Sequence, residues 1–240
     1  MEKTKSINIP IIIDDTRQFK LQIDEKWKFS NNIYGDHIYN VINSDDSCQY
    51  VAKILKIDSR EDEPGWYTSF DRVRNELTIS KLMSDEGLGP KIYDMSLNEK
   101  EGIIIMDKFD SNLVQLMLKY KTDRTIKMLD IINNVTIIVN KMHLLGIYHG
   151  DLHLRNILYK KTGGVIISDF GYSLLTTSQE LKDSELTHLD GFKEIYKLIN
   201  DESLKIYDED SFDNVMFDVT CVSQHDFNFT WNGKKCEWFC

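Results

Sequence analysis

The chain lacks several common things at once. Among its 240 residues are a single alanine, Ala52, and three prolines. Alanine is the best helix former, so helices here must be read from apolar spacing rather than propensity. The shortage itself fits AT-rich coding and says nothing about fold. Four cysteines are too few for a disulfide scaffold, so a reducing, cytoplasmic compartment is expected. No apolar run approaches the ~20 residues needed to cross a bilayer, and no membrane partner is expected. An apolar patch from Ile7 to Ile13 follows Lys3 and Lys5. Pro10 interrupts it, Asp14 and Asp15 end it, and no small-residue cleavage site follows, so a signal peptide is not expected. Basic residues are also short. Lys and Arg number 29 against 39 Asp and Glu, a net charge of −10. That excludes nucleic-acid binding through a broad basic face.

What is present falls into two halves. Residues 19–29 alternate apolar and polar side chains, the period of a strand. Residues 33–42 and Tyr50–Leu55 read as two more, with a polar turn at 43–47, and the three predict an antiparallel meander. A polar stretch at 58–69 holds Pro64-Gly65 and reads as a loop. Phe70, Val73, Leu77, Leu82 and Met83 then predict a helix that Gly87-Leu-Gly-Pro90 stops. Lys91–Leu97 and Gly102–Met106 read as strands.

The second half is helical. Asp110 or Ser111 is placed to cap a helix through Leu113, Leu116, Met117 and Tyr120. Met128, Ile132, Val135, Val139 and Met142 trace one stripe, predicting a helix over 124–145 with Asp123 as N-cap and Gly146 as C-cap. A hairpin follows, Asn156–Tyr159 against Val165–Ile167, and then a buried helix at 189–199. The expected organisation is an N-terminal strand extension (1–29), a strand-rich lobe (30–108), a helical lobe (109–200) and an acidic extension with a cysteine-rich end (201–240).

The informative segment is His149-Gly-Asp-Leu-His-Leu-Arg-Asn156. Asp169-Phe-Gly171 follows 18 residues after Asp151, at the end of the hairpin. Upstream stand Val51-Ala-Lys-Ile54 and, on the next helix, Glu76. In this order and on these element types, the motifs closely resemble the core of the protein-kinase-like superfamily. The resemblance covers about residues 30–200 and implies an α+β, two-lobed fold. One lobe would be an antiparallel sheet with one main helix, the other mostly helical and reduced.

The chemistry the resemblance implies agrees with the residue types. Phosphoryl transfer needs a held polyphosphate, metal to neutralise it and an acceptor hydroxyl in line. Lys53 would meet the phosphates of ATP, paired by Glu76. Glu61 and Glu63 lie in a polar loop and Glu86 at the helix end, so Glu76 is preferred. Asn156 and Asp169 offer oxygen ligands to Mg²⁺, a hard cation. Asp151 would take the acceptor's proton. Met106 falls at the gatekeeper position, and Asp107–Phe109 would form the hinge against which adenine lies. Taken singly, each residue has an ordinary structural role, such as a snorkelling lysine, a solvated glutamate, or a cap or turn residue.

Three departures mark the chain. Only Gly35 stands in the phosphate loop, where three glycines are usual. His153 occupies a position that is lysine in Ser/Thr protein kinases, and the string is similar there to aminoglycoside and choline kinase-like enzymes. From Asp169 to Asp190, taken as the buried aspartate of the next core helix, is only 21 residues with no A-P-E motif. Compact atypical kinases, including reduced viral ones and the small kinase of the KEOPS tRNA-modification complex, are similar in this. An activation loop switched by phosphorylation is not expected, and Thr176, Thr177 and Ser178 read as loop residues.

The resemblance thus implies a Ser/Thr protein kinase using ATP and Mg²⁺ on a protein substrate, and the acidic charge favours a basic one. A small-molecule kinase and a pseudokinase binding module are the alternatives. Near the end, Cys221, His225, Cys236 and Cys240 have roughly zinc-like spacing without a C-x₂-C pair. Zinc, a disulfide and free thiols all stay open there.

Overall fold

A computed structural model describes residues 19–34, 37–46, 48–57, 69–121, 123–162, 164–200, 229–231 and 234–236. The first five strands form one antiparallel sheet. They are β1 (Trp27–Tyr34), β2 (Ile38–Asn43), β3 (Gln49–Lys56), β4 (Ile92–Leu97) and β5 (Glu101–Asp107). Their spatial order is β1-β2-β3-β5-β4. The expected meander is there, but its first strand runs over 27–34 rather than 19–29. Lys20 instead bridges Ser96 in parallel, at the free edge of β4.

The reason is a buried carboxylate. Asp94 on β4 accepts hydrogen bonds from the Trp27 indole at 3.0 Å, the Asp24 backbone N–H at 2.8 Å and the Lys20 ammonium at 3.1 Å. A buried carboxylate must be satisfied in this way. The segment before β1 is therefore pinned across the sheet's outer face. There Trp27 closes a cluster of Val41, Tyr50, Ala52, Ile103 and Ile105.

Helix α1 (Phe70–Asp85) packs on the opposite face. Ser69 caps it, its hydroxyl accepting from the Arg72 N–H. Val73 and Leu77 bury against Ile104 and Leu97, each contributing about 1.5–3 kcal/mol. The approach requires Gly102 on β5, because a Cβ there would lie 2.5 Å from Val73 Cγ1.

After the sheet, β6 (Ser111–Asn112) leads directly into α2 (Leu113–Tyr120). The cap is Asn112, in a reciprocal capping box with Gln115, rather than Asp110 or Ser111. Helix α3 (Met128–Leu144) buries the expected stripe of Met128, Ile132, Val135, Val139 and Met142. It starts four residues later than expected, because the Asp123 carboxylate accepts from the Thr125 N–H and closes a turn before the helix.

Next come β7 (Ile147–Tyr148), a 3-10 turn at Leu154–Asn156, and the hairpin of β8 (Ile157–Lys160) and β9 (Gly164–Ile167). Strand β10 (Leu174–Leu175) pairs back with β7. Helix α4 (Gln179–Asn200) runs longer than the expected 189–199, and it packs on α3. One apolar core joins α2, α3, α4 and the β8–β9 hairpin, and it continues into the end of α1 through Ile79 and Met83. A separate hairpin of β11 (Phe229–Trp231) and β12 (Lys234–Cys236) lies far along the chain. No described helix is long and apolar enough to cross a membrane.

Candidate active site

The cleft lies between the sheet and the helical part, and three elements meet there. Lys53, in the middle of β3, sends its ammonium to Glu76 Oε1 on α1 at 2.6 Å and to Asp169 Oδ1 at 2.8 Å. One cation thus serves two carboxylates. Burial works against charge on Lys53, but Glu76 and Asp169 outweigh it and hold its pKa above the ordinary lysine value. The carboxylates divide unequally. Glu76 is nearly inaccessible, so burial pushes its pKa up while Lys53 and Arg72 pull it back. Burial also opposes charge on Asp169, but Lys53 overrides it and lowers its pKa.

The catalytic candidates Asp151 and Asn156 share one short loop. Asn156 Nδ2 donates to the Asp151 carbonyl at 2.9 Å and reaches its Oδ2 at 3.4 Å. That turns the amide oxygen of Asn156 away from Asp151. The Asn156 carbonyl in turn accepts from the Ser168 N–H at 2.8 Å and the Ser168 hydroxyl at 3.0 Å. The residue before Asp169 is thereby fastened to Asn156. Asp169 has φ +67, a left-handed value uncommon outside glycine.

His149 organises the loop from below. Its Nδ1 accepts from the Asp151 N–H at 3.2 Å, so Nε2 carries the proton and donates to the Ser168 carbonyl at 3.0 Å. Its ring packs 5.3 Å from that of Phe170. Burial pushes the imidazole below its ordinary pKa, and the neutral form is the one both bonds require. His153 is half-exposed. Its Nδ1 accepts from the Arg155 N–H, and its Nε2 lies 3.6 Å from Asp151 Oδ2.

Gly150 has φ +78, and a Cβ there would stand 2.4 Å from the Tyr172 carbonyl. The segment after Gly171 is thus pressed onto the loop that carries Asp151 and Asn156. From above, Arg72 on α1 donates to the Gly171 carbonyl at 3.2 Å and stacks 3.8 Å over the Tyr172 ring. Asn75 donates to the Ser173 carbonyl at 2.9 Å. The Ser173 hydroxyl donates to the His149 carbonyl at 3.0 Å. Helix α4 begins at Gln179, eight positions after Gly171.

One expectation is corrected here. Asp190 is exposed and pairs with Lys193. The buried acid of α4 is Glu185, 2% exposed. Its Oε1 accepts from the N–H groups of His149 at 2.9 Å and Gly150 at 3.1 Å, while Oε2 meets His143 Nε2 at 2.7 Å. A signal was available in the sequence. Glu185 stands at i, i+4 and i+7 with Leu189 and Phe192, on the apolar stripe.

Met106 lies opposite Val51 in the sheet, on the face that Lys53 shares. Asp107 lies opposite Tyr50, and its carboxylate turns to the outer face, accepting from the Tyr93 hydroxyl and pairing with Lys160. Phe109 lies under the Lys160 ammonium at 5.6 Å. Glu86 is the exposed C-cap of α1, away from Lys53. Gly35, Glu61 and Glu63 lie outside the described residues, as do Cys221, His225 and Cys240. Cys236 stands on β12.

The protein kinase domain family matches residues 34–190 of this chain. Two archaeal proteins, each named "Probable bifunctional tRNA threonylcarbamoyladenosine biosynthesis protein", are similar to it. That of Methanosphaera stadtmanae is 33% identical over 140 residues, 57% of this chain and 24% of the relative. That of Thermoplasma acidophilum is 31% identical over 103 residues, 42% of this chain and 18% of the relative. "Serine/threonine-protein kinase 1" of Heliothis zea nuclear polyhedrosis virus is 26% identical over 109 residues, 45% of this chain and 41% of the relative. The matched stretches thus span less than half the length of each of these curated relatives.

Proposed function

The chain belongs to the protein kinase domain family, and from that premise we propose that it transfers the γ-phosphoryl group of ATP to a hydroxyl, that of a Ser or Thr on a basic protein. The observation that carries the reading is the single bonded network from Glu76 through Lys53 to Asp169, with Asn156 tied to Asp151 beside it.

The donor set suits Mg²⁺. Asp169 brings a carboxylate whose charge Lys53 preserves, and Asn156 brings the amide oxygen that its bond to Asp151 leaves over. When bound, Mg²⁺ supplies positive charge to the phosphate oxygens where negative charge gathers. The chain's own groups do the rest. Lys53 holds the phosphates as a point charge, itself fixed by Glu76. Asp151, one-third exposed, accepts the proton of the acceptor hydroxyl as the new O–P bond forms. The bond between the γ-phosphorus and the bridging oxygen breaks, and ADP keeps that electron pair. His153 stands beside Asp151, where an incoming acceptor or phosphate would meet it.

No phosphorylated residue is needed to assemble this site. Arg72, Asn75 and Ser173 hold the segment after Gly171 directly. The viral relative's name supports a Ser/Thr acceptor, and the net charge of −10 supports a basic one.

The test is incubation with Mg²⁺ and γ-labelled ATP, beside an Asp151→Ala control, on basic proteins, the chain itself and a panel of amines and alcohols. Label on Ser or Thr that vanishes in the control is the expected result. Label on small molecules alone would move the acceptor to that class. Nucleotide binding without transfer would leave a binding module.

A further inference from the structure

The nucleotide end of the cleft holds a polar device that the phosphoryl chemistry does not use. In the sheet, Asn40 lies directly opposite Val51, and Val51 directly opposite Met106. Residues opposite one another in a sheet share a face. Lys53 is two residues beyond Val51 and so looks the same way. Its bonds to Glu76 and Asp169 identify that face as the roof of the cleft. The row Asn40–Val51–Met106 therefore roofs the cleft about 7 Å from the Lys53 row, at roughly 3.3 Å per residue. With phosphates at Lys53, this row covers the base. An apolar roof would suit a flat ring, yet one of its three members is an asparagine.

Asn40 is not idle. Lys108, just past β5, reaches back and donates from Nζ to Asn40 Oδ1 at 2.9 Å. Asn40 Nδ2 donates to Asn31 Oδ1 on β1 at 3.0 Å. The lysine is a pure donor, so the amide orientation is determined. Among the described residues no carboxylate pairs with Lys108. Its neighbour Asp107 has its carboxylate on the outer face, with Tyr93 and Lys160. A positive donor thus stands at the base end of the cleft, steered by Asn40, in a chain of net charge −10. Asn40 and Lys108 also border a cavity of about 380 Å³, lined further by Asn31, Asp46, Gln49 and Tyr50.

The two purines differ where such a donor acts. Both present an N7 acceptor, but adenine carries an amino donor at its 6-position where guanine carries an acceptor oxygen. An ammonium opposes the first and bonds the second. Resting on the reading of this cleft as a nucleotide site, we propose that Lys108, oriented by Asn40, selects for a 6-oxopurine, so that GTP binds at least as tightly as ATP. Lys108 is then a specificity-determining residue, distinct from the groups that meet the phosphates.

Calorimetric titration of the full chain with the Mg²⁺ complexes of ATP, GTP and inosine triphosphate tests this. GTP and inosine triphosphate, which share the 6-oxo group, are expected to bind as tightly as ATP or more so. Lys108→Met should shift the GTP-to-ATP affinity ratio about tenfold toward ATP, the scale of one net hydrogen bond. Asn40→Val, which releases Lys108 without removing it, should shift the ratio the same way by less, and it serves if Lys108→Met does not fold. ATP binding with GTP at least tenfold weaker, or an unchanged ratio in the variants, overturns the proposal and leaves the kinase reading standing. Binding of none of the three nucleotides overturns both.

Discussion

The Glu185 carboxylate accepts the backbone N–H of His149 at 2.9 Å, across 36 positions of sequence. The same oxygen takes the N–H of Gly150, and the other oxygen meets His143. One buried acid on α4 thus fixes the entry to the loop that carries Asp151 and Asn156. Glu185→Ala should orphan two buried N–H groups and cost about 3 kcal/mol. Glu185→Gln keeps an acceptor and should cost about half as much. Urea unfolding of both variants checks the order, and equal losses would contradict it.

Lys53→Met should reduce phosphoryl transfer at least ~100-fold, as removal of a fixed transition-state charge does. It should also change how stability follows pH. Glu76 loses its cation, and burial then raises its pKa further above the unfolded value of 4.5. A folded state that holds its proton more tightly is stabilised at low pH, and that stability is lost as pH rises through the folded pKa. The gap between variant and parent should therefore widen from pH 4.5 upward. A constant gap in denaturation midpoints would count against the pairing.

His149 gives the parent protein the opposite slope. Burial holds its pKa below 6.5, so below that pH the unfolded chain takes up a proton that the folded one refuses. His188, lowered by the same cause, adds to the effect. Stability should fall by up to about 1.4 kcal/mol per pH unit for each histidine below pH 6.5. Melting temperatures from pH 7.5 to 5.5 report this, and His149→Phe should flatten the curve.

Gly150→Ala combines a left-handed backbone with a Cβ pressed to 2.4 Å from the Tyr172 carbonyl. Neither can be relieved by a side-chain rotation. A loss of about 3 kcal/mol is expected, with activity falling more steeply because Gly171 and Tyr172 must shift. Gly164→Ala is the comparison. It has φ +80 with nothing within 4 Å of its Cβ, so it should cost only the backbone part.

Much of the candidate site was legible because its residues sit in short local patterns. Asp151, Asn156 and Asp169 lie within 19 residues, and Lys53 stands in a strand that reads as one. The stripe of α3 was equally plain. Groups that act across distance were not. Asp190 looked like the buried acid of α4, and only packing shows that Glu185 faces the loop. The strand expected at 19–29 failed because Asp94, seventy residues on, captures the Asp24 backbone before the alternation can become a ladder. Asn40 carried no signal at all, since its place on the roof follows from a register that sequence does not reveal.

The pinning of Lys20, Asp24 and Trp27 onto Asp94 separates two boundaries that are easily confused. The residues that carry chemistry begin at Lys53, but the folding unit begins no later than Lys20. A fragment trimmed to start at β2 would leave a carboxylate in the sheet with three of its four donors gone. It would also strip the cover from Tyr50 and Ala52, the residues flanking Val51 in the strand that presents Lys53. The upstream segment is the outer half of the wall on whose inner side the phosphates would be held.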